Sequence, residues 1–320
     1  MRTIACVLAA CAALALPAAG RAQGWPAKPV HLVVAFAPGG PADIVARLLG
    51  QRLTESLGQP IVVENRGGAG GNVGAALVAK AAPDGYTALL TTASFAVNMT
   101  LFAEPGYDAE RDFEAVSVVA FQPNLIVVNA ASPAKTLADL FSEAKGKKLP
   151  YASPGTGTSA HLTAEYLFKV LAKVDLFPVH FRGAGPAVAA LVAGDPAVGS
   201  LGVAGPLAQI KAGKLRALAV SSKKRVPPLP DVPTLAEAGF PGAEFDLWIA
   251  VFLPARTPAP VVARMSGAID DALHAPAIQE RLQALAFEPG GGSAADASAY
   301  VKAEIAKWRK VVQETGAKPD

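Results

Sequence analysis

The stretch that decides the fold is VVAFAPGGPADIVARLLGQRL, residues 33–53. An unbroken apolar run at residues 32–36 stops at a Pro-Gly-Gly-Pro sequence, and apolar residues then return at helical spacing. This pattern predicts a buried strand, a tight turn and an amphipathic helix. One acid, Asp43, lies at the start of the predicted helix. It is either a simple helix-end charge or part of a ligand-binding loop.

The first 22 residues are expected to be a secretory signal that is absent from the mature protein. Arg2 is followed by an apolar run too short to span a bilayer, and residues 20–22 form a small-residue end typical of a cleaved signal. Both cysteines, Cys6 and Cys11, lie within this segment. The sequence around Cys11 resembles a lipoprotein box, but the apolar run continues past it, so a lipid anchor at Cys11 is not expected.

Composition excludes several classes of protein. No cysteine follows residue 22, so the mature chain offers neither a disulfide framework nor a thiolate metal site. The chain has 29 basic and 26 acidic residues, and two of the basic ones, Arg2 and Arg21, lie in the expected signal. The remaining balance gives no basic excess to follow a phosphate backbone, so nucleic acid is not expected as a partner.

Short apolar runs alternate with helical patterns along most of the chain. Strands are predicted at residues 30–36, 61–64, 87–92, 116–121, 125–129, 179–181, 215–221 and 247–253. Helices are predicted at residues 43–57, 73–81, 137–144, 159–172 and 187–193. The alternation predicts an α/β fold with parallel strands covered by helices on both faces, and the length suffices for two domains.

Glycine-bearing loops follow several of the predicted strands. They lie at residues 38–43, 64–74, 91–98, 151–161 and 181–187. Glycine lets the backbone approach a ligand closely, and each following helix offers unpaired N–H groups with a partial positive charge. Turn chemistry alone explains any single loop of this kind, whereas five in one chain favour an anion-binding site.

Enzyme and metal motifs are weak. The glycines of residues 67–74 lack the spacing of a dinucleotide-binding fingerprint, and no G-x-x-x-x-G-K sequence occurs. Ser153 or Ser159 could pair with His161, but no G-x-S-x-G sequence follows a predicted strand. The other histidines have no second ligand at metal spacing. No catalytic residue, metal site or cofactor is therefore predicted.

Five long stretches, in order along the chain, resemble the solute receptors of tripartite tricarboxylate transporters, often called Bug receptors. They are WPAKPVHLVVAFAPGGPADIVARLL, GQPIVVENRGGAGGNVGAALVAKAAPDGYT, SPGTGTSAHLTAE, IKAGKLRALAV and LPDVPTLAEAGFPG. The resemblance implies a two-domain α/β fold of the periplasmic binding protein type II kind, with two crossing segments that form a hinge and a ligand cleft between the domains. Domain 1 would comprise residues 23–124 and 246–320, and domain 2 residues 125–245. The crossings would lie near residues 123–130 and 247–254.

The resemblance also implies which residues bind the ligand, mostly through main-chain groups and ordered waters. From domain 1 these are Phe36, Gly39, Gly40, Pro41, Asp43, Asn72, Ser94 and Asn98. From domain 2 they are Ser153, Gly155, Gly157, Thr158, His161, Gly183 and Ala184. For Asp43 we expect an indirect role, in which its carboxylate orders the N–H groups of residues 38–42.

The chain departs from the family pattern at several positions. Ala35 and Ala37 stand where the family commonly has proline, and Phe181 stands where it has tyrosine. Within residues 193–213 the family usually reads a V-D-L strand followed by F-D and a turn proline, where this chain offers Ala197, Ser200, Leu201 and Ala204. This part of the domain 2 wall has therefore lost an acid and is smaller and less polar. These differences leave the identity of the ligand open.

The implied protein is a monomeric, periplasmic, non-catalytic receptor. It would deliver a small organic acid to an integral-membrane permease of the tripartite tricarboxylate type, without a cofactor or a metal. The alternative is a receptor that presents its ligand to a sensor kinase and takes no part in transport.

Overall fold

Ten strands form one mixed sheet in the computed structural model, which describes residues 24–319. The expected signal peptide and Cys11 lie outside the described residues. The strands are β1 (Val30–Val34), β2 (Ile61–Asn65), β3 (Thr87–Thr92), β4 (Phe113–Asn129), β5 (Leu149–Ser153), β6 (Leu176–His180), β7 (Val198–Gly202), β8 (Leu215–Val220), β9 (Asp246–Pro254) and β10 (Glu288–Pro289).

Helices connect most of these strands. They are α1 (Pro41–Leu57), α2 (Asn72–Ala79), α3 (Ser94–Leu101), α4 (Leu137–Ala144), α5 (Ser159–Glu165), α6 (Ala184–Ala193), α7 (Leu207–Lys211), α8 (Ala259–His274), α9 (Pro276–Ala284) and α10 (Ala294–Thr315). A 3₁₀ turn at Ala69–Gly71 precedes α2, and a π-helical segment at Tyr166–Leu171 continues α5.

The strand order is β2-β1-β3-β9-β4-β7-β5-β6, and β8 and β10 also pair with β4. β1 lies parallel to β2 and β3, and β5 lies parallel to β6 and β7. β9 runs antiparallel to both β3 and β4. The predicted α/β class with covered parallel strands is thus confirmed at the two ends of the sheet, while antiparallel strands join them at its centre.

β4 belongs to both parts of the sheet. Its first part pairs with β9 up to Pro123, and from Asn124 onwards it pairs with β7 and β8. The prediction of two separate strands, 116–121 and 125–129, was wrong, because a single strand runs through the Gln-Pro-Asn sequence between them. Proline interrupts many strands, but its fixed φ lies within the extended region, so the chain can continue straight through Pro123.

Helix α1 follows β1 as the opening stretch predicts. Its apolar residues Val45, Leu49 and Leu53 are buried, and the helix starts two residues before the predicted position, with Pro41 in its first turn. Proline suits this position because its missing N–H would have no partner in the first turn of a helix. Gly58 ends the helix in the left-handed conformation.

Helix α3 is held against the sheet by an aromatic cluster. The ring of Phe95 lies 4.4 Å from that of Phe252 on β9 and 5.1 Å from those of Tyr107 and Phe113. Such ring pairs add about 0.5–1.5 kcal/mol each beyond the area that they bury. The cluster therefore fixes the start of α3 relative to the crossing strand.

The last helix is tied to the same crossing strand by a buried acid. Glu304 on α10 accepts hydrogen bonds from the indole nitrogens of Trp248 on β9 and Trp308, each at 2.8 Å, and also pairs with Lys307. A buried carboxylate is tolerated only when its oxygens are paired in this way. Glu304 thus joins α10 to the strand that passes between the two parts of the sheet.

Candidate functional site

Three helices begin at one small cavity between the two parts of the sheet. Residues from the first turns of α1, α5 and α6 line it, together with residues from strand ends. The lining residues are Phe36, Gly40, Pro41, Ala42, Thr92, Pro154, Thr158, Ala160, Ala184, Gly202 and Leu247. We call this cavity the first chamber. Its volume is about 30 Å³, room for roughly one or two water-sized groups.

The surface of the first chamber is mostly apolar, and the starts of three helices lie beside it. Gly40 and Gly183, the N-caps of α1 and α6, supply no side-chain cap, whereas the hydroxyl of Thr158 caps α5 by accepting from the His161 N–H at 3.2 Å. Among the described lining residues, none has a charged side chain. The ends of three helix dipoles therefore set the electrostatic character of the chamber, which suits an anion.

Behind the first chamber, Asp43 ties the turn before α1 to its surroundings. Its carboxylate accepts from the Gly39 N–H at 3.0 Å, from Asn65 Nδ2 at 2.9 Å and from Arg47, at 3.1 Å for Nε and 2.9 Å for Nη2. Asn65 also donates to the carbonyl of Phe36 at 3.0 Å. Burial acts to raise the pKa of Asp43, but the bonds from Arg47, Gly39 and Asn65 outweigh it and hold the pKa below its ordinary value.

A second, larger cavity adjoins the first. We call it the second chamber. Its volume is about 150 Å³, and Phe36 and Pro154 line both chambers. The other lining residues are Gly68, Ala69, Gly70, Gly71, Gly155, Thr156, His180, Phe181 and Arg182. The two chambers together form a cleft that passes between Phe36 and Pro154.

Loops of the two walls touch each other along this cleft. The Ala37 N–H donates to the carbonyl of Arg182 at 3.2 Å, which is a direct main-chain bond across the cleft. A Cβ added to Gly70 would lie 2.0 Å from the carbonyl oxygen of Thr156, and one added to Gly185 would lie 2.5 Å from that of Pro38. We call this line of contacts the seam. The loops of the two walls are therefore in direct main-chain contact along the seam.

Of the residues implied by resemblance, six line the chambers: Phe36, Gly40, Pro41, Gly155, Thr158 and Ala184. The others lie directly behind the lining. Gly39 and Asp43 belong to the turn before α1, and Gly183 lies against Ala37 at the seam.

Four of the remaining predicted residues are polar and support the loops rather than line the chambers. Ser94 Oγ lies 3.2 Å from Thr92 Oγ1. Asn98 Nδ2 donates to Asn72 Oδ1 at 2.6 Å and to the carbonyl of Gly70 at 3.2 Å. These contacts position the Gly70 turn of the second chamber. Ser153 Oγ lies 3.0 Å from His180 Nδ1, and these two residues end the neighbouring strands β5 and β6 of the other wall.

Gly157 and His161 also act from behind the lining. The Gly157 N–H donates to His161 Nδ1 at 3.2 Å, and the rings of His161 and His180 meet edge to face with centroids 4.6 Å apart. Burial, with smaller contributions from His180 and Lys169, lowers the pKa of His161 to about 3. His161 is therefore neutral at ordinary pH and holds a loop in place.

Several lining residues were missed by sequence reasoning. Thr92, Pro154 and Ala160 lie within loops that the sequence did mark, but Gly202 and Leu247 come from strands far away along the chain. Gly202 lies in the segment that departs from the family pattern, and in the same strand the Ser200 hydroxyl donates to the carbonyl of Ala160 at 2.7 Å. His180 is the last residue of β6 and Arg182 lies in the marked loop 181–187, but neither was singled out as a ligand-binding residue.

Within residues 24–319, no three His, Cys, Asp or Glu side chains are grouped closely enough to hold a metal ion. In the same residues, no helix combines the length and the apolar character that crossing a membrane requires.

A mixed sheet with crossing strands beneath a cleft is the architecture of the periplasmic binding proteins, which are structural neighbours of this chain. Residues 45–317 match the profile of the tripartite tricarboxylate transporter family receptor. The chain is 35% identical over 316 residues to protein BugT of Bordetella pertussis, covering 98% of this chain and 96% of that protein. The chain therefore belongs to the tripartite tricarboxylate transporter receptor family.

Solved structures agree with this assignment. Periplasmic binding protein BugD is 35% identical with a TM-score of 0.88, and the match covers 92% of this chain and 99% of that one. Rpa4515 of R. palustris, solved with adipate, is 37% identical with a TM-score of 0.89 over 92% and 100% of the two chains. MatC from Rhodopseudomonas palustris, solved with bound malate, is 34% identical with a TM-score of 0.86 over 90% and 100%.

Proposed function

We propose that this protein binds a small carboxylate in the cleft and delivers it to a membrane permease of the tripartite tricarboxylate type. The observation that carries the proposal is the first chamber, where α1, α5 and α6 begin at one cavity lined by uncharged side chains. Helix α1 comes from one wall and α5 and α6 from the other. An anion placed between them would interact with both walls and so favour closure.

The chamber suits a carboxylate better than a neutral group. Main-chain N–H groups at helix starts donate strong, charge-assisted hydrogen bonds to carboxylate oxygens. These bonds gain strength where closure excludes water. The size of the chamber, about 30 Å³, fits one such group. The solved relatives with adipate and malate support the same class of ligand.

The domain division is part of the proposal. We infer that residues 23–124 with 246–320 form one domain and residues 125–245 the other. The change of partners along β4 between Pro123 and Asn124 supports the first crossing, and the position of β9 supports the second. Closure would then be a rotation of the two domains about these crossing strands.

Location, partners and assembly are also inferred. We propose a periplasmic monomer, supported by the periplasmic relatives and by the expected signal peptide. Presentation of the ligand to a sensor kinase stays as the alternative. Uptake of the labelled ligand by cells with and without this protein separates the two, because loss of a sensor protein would leave uptake unchanged.

The test of ligand binding places a carboxylate inside the first chamber. Ala42 is the buried second residue of α1 and lines the chamber, so Ala42→Asp puts a negative charge where the ligand would bind, and thermal unfolding is used to show that the variant is folded. Calorimetry with small mono- and dicarboxylates should detect binding in the parent and none in the variant, with or without a chelator.

A matched control exists on α10. Ala295 occupies the same helix position, also followed by an aspartate, and is exposed outside both chambers. Ala295→Asp should bind as the parent does. The proposal would be contradicted by a parent that binds no carboxylate, by binding that needs a metal, or by undiminished binding in Ala42→Asp.

A further inference from the structure

A buried glutamine behind the first chamber takes no part in the proposed ligand contacts. Gln122 lies on β4 directly before Pro123 and is 1% exposed. Its side-chain oxygen accepts from the Ala204 N–H at 3.1 Å, and its side-chain nitrogen donates to the carbonyl of Leu285 at 2.8 Å. A single amide therefore holds two main-chain groups that are far apart in the sequence.

Gln122 lies directly behind one side of the first chamber. Gly202 lines that chamber, and a Cβ added to it would lie 2.9 Å from Gln122 Oε1. Leu247 lines the chamber as well and is the register partner of Gln122 where β4 pairs with β9. We call Gly202 and Leu247 the floor of the first chamber. Both residues of the floor come from distant strands, and both adjoin Gln122.

The floor depends on Gln122 at the point where β7 leaves the sheet. β7 ends at Gly202, and the chain then turns towards α7. The Val203 N–H still donates to the carbonyl of Pro123, at 3.3 Å, but the next N–H, that of Ala204, has Gln122 as its acceptor. A buried N–H without an acceptor is costly, so loss of Gln122 would make this turn move to recover a partner. Gly202 would move with it, because it is only two residues away.

The other partner of Gln122 belongs to a contact between the two proposed domains. Leu285 follows α9, in proposed domain 1, and Ala286 packs in the same apolar cluster as Val226 of proposed domain 2. Ala286 has a φ of +60°, a left-handed conformation that alanine adopts only where its surroundings hold it. Gln122 and Ala286 also line a groove of about 700 Å³. Gln122 therefore lies between this groove and the first chamber.

We propose that Gln122 is a positioning residue for ligand binding, which holds the floor of the first chamber in place from behind. The inference rests on the proposed function, since the carboxylate must occupy that chamber. Gln122 lines neither chamber, so it acts on the ligand only through the floor and the turn at Ala204. A chamber of about 30 Å³ has room for little more than one small group, so even a small shift of its floor changes the fit.

The experiment removes the amide and keeps the approximate length of the side chain. Gln122→Met leaves the Ala204 N–H and the Leu285 carbonyl without their partner, and thermal unfolding gives the temperature range in which the variant is folded. Acetate, succinate, malate and adipate are titrated by calorimetry within that range. The carboxylate that the parent binds most tightly should bind about tenfold or more weakly to Gln122→Met.

A second variant guards against loss of the fold. Gln122→Asn keeps an amide on a shorter side chain, and its affinity should lie between those of the parent and Gln122→Met. If Gln122→Met does not fold, Gln122→Asn takes its place, and parental affinity in that variant would contradict the inference.

A matched control lies farther along the same strand. Asn129 Nδ2 donates to the carbonyls of Leu191 and Val192 at 2.8 and 3.2 Å, and Asn129 Oδ1 accepts from the Ala131 N–H at 2.9 Å. Asn129 lines neither chamber. Asn129→Leu removes the same kinds of bond from β4, so it should lose stability as Gln122→Met does but bind as the parent does.

Affinity and stability together separate the outcomes. Parental affinity in a folded but destabilised Gln122→Met would overturn the inference, because the amide would then only support the fold. Equal losses of affinity in Gln122→Met and Asn129→Leu would also overturn it, since general loosening of β4 would explain both. A parent that binds none of the four carboxylates would instead contradict the proposed function, and the positioning role would fall with it.

Discussion

The carboxylate of Asp43 receives hydrogen bonds from three residues, and one of them, Gly39, belongs to the turn that precedes α1. All of these partners are protein groups, and Asp43 lines neither chamber. A negative charge close to an anion site would repel the ligand, but the pairing with Arg47 offsets that charge. The geometry favours a positioning role, in which Asp43 holds the main-chain N–H groups that face the ligand.

We expect Asp43→Ala to weaken carboxylate binding about tenfold or more, a loss of roughly 1.4 kcal/mol. The alanine cannot accept from Gly39 or Asn65, so the turn would no longer be fixed. Asp43→Asn keeps an acceptor of similar size and should retain the fold and much of the affinity. Calorimetry on both variants provides the measurement.

Two outcomes would revise this account of Asp43. Parental affinity in both variants would reduce the residue to a helix-end charge. Loss of binding in Asp43→Asn alone would mean that the carboxylate meets an ammonium or hydroxyl group on the ligand.

At the scale of elements, the glycine turns have two structural roles, since one positions the start of a helix and another allows the two walls to touch. The Pro-Gly-Gly-Pro turn before α1 directs the start of a helix at the first chamber, whereas the Gly70 turn brings one wall against the other at the seam. The contact at Gly70 involves a main-chain carbonyl of the opposite wall, that of Thr156, which cannot rotate away as a side chain could. The absence of a side chain at Gly70 is therefore a condition for this contact between the walls.

We expect Gly70→Ala to impair ligand binding through this contact. Gly213 is a matched control, because it also has a positive φ, +70° against +62°, but an added Cβ there meets nothing within 4 Å. Both alanine variants should lose about 1 kcal/mol of stability from the strained backbone. Only Gly70→Ala should also lose affinity, measured by calorimetry beside thermal unfolding. Equal affinities would mean that the seam does not limit binding.

The crossing strand β9 begins with an acid, Asp246, whose pKa is shifted. The side chain of Asp246 is exposed at its surface, but desolvation by the surrounding protein raises its pKa to about 6. Lys307 and Lys223 act against this rise, and Glu288 and Glu304 add to it. In the folded state Asp246 therefore holds its proton at a pH where the unfolded chain has released it.

This difference in proton binding makes the contribution of Asp246 to stability depend on pH. Between the ordinary value of 3.8 and about 6 the folded state binds more protons, so this group makes stability fall as pH rises. Asp246→Asn should unfold at a higher temperature than the parent above pH 6 and lose that advantage below 3.8. Thermal unfolding of both proteins across this window tests the expectation, and a constant difference at every pH would contradict it.

At the scale of the whole molecule, local patterns predicted more of the fold than of the site. The predicted helix 137–144 coincides with α4, because Thr136 and Asp139 form a reciprocal cap before a clear amphipathic pattern. β7 was not among the predicted strands, since VGSLG carries few of the large apolar residues that mark a strand. The site needed tertiary contacts, because Leu247 and Gly202 come to the first chamber from distant strands.

The position of β9 also sets the order in which the chain can complete its structure. β9 lies between β3 and β4 in the sheet, yet β5, β6, β7 and β8 all precede it along the chain. As the polypeptide emerges during synthesis or secretion, β5 to β8 can assemble on the end of β4 while β3 and the first part of β4 still expose unpaired edges. Exposed edges of this kind invite association with other chains. The nascent protein would therefore depend on protection until β9 arrives, and the finished cleft, which includes Leu247 of β9, would form only at that late stage of its biogenesis.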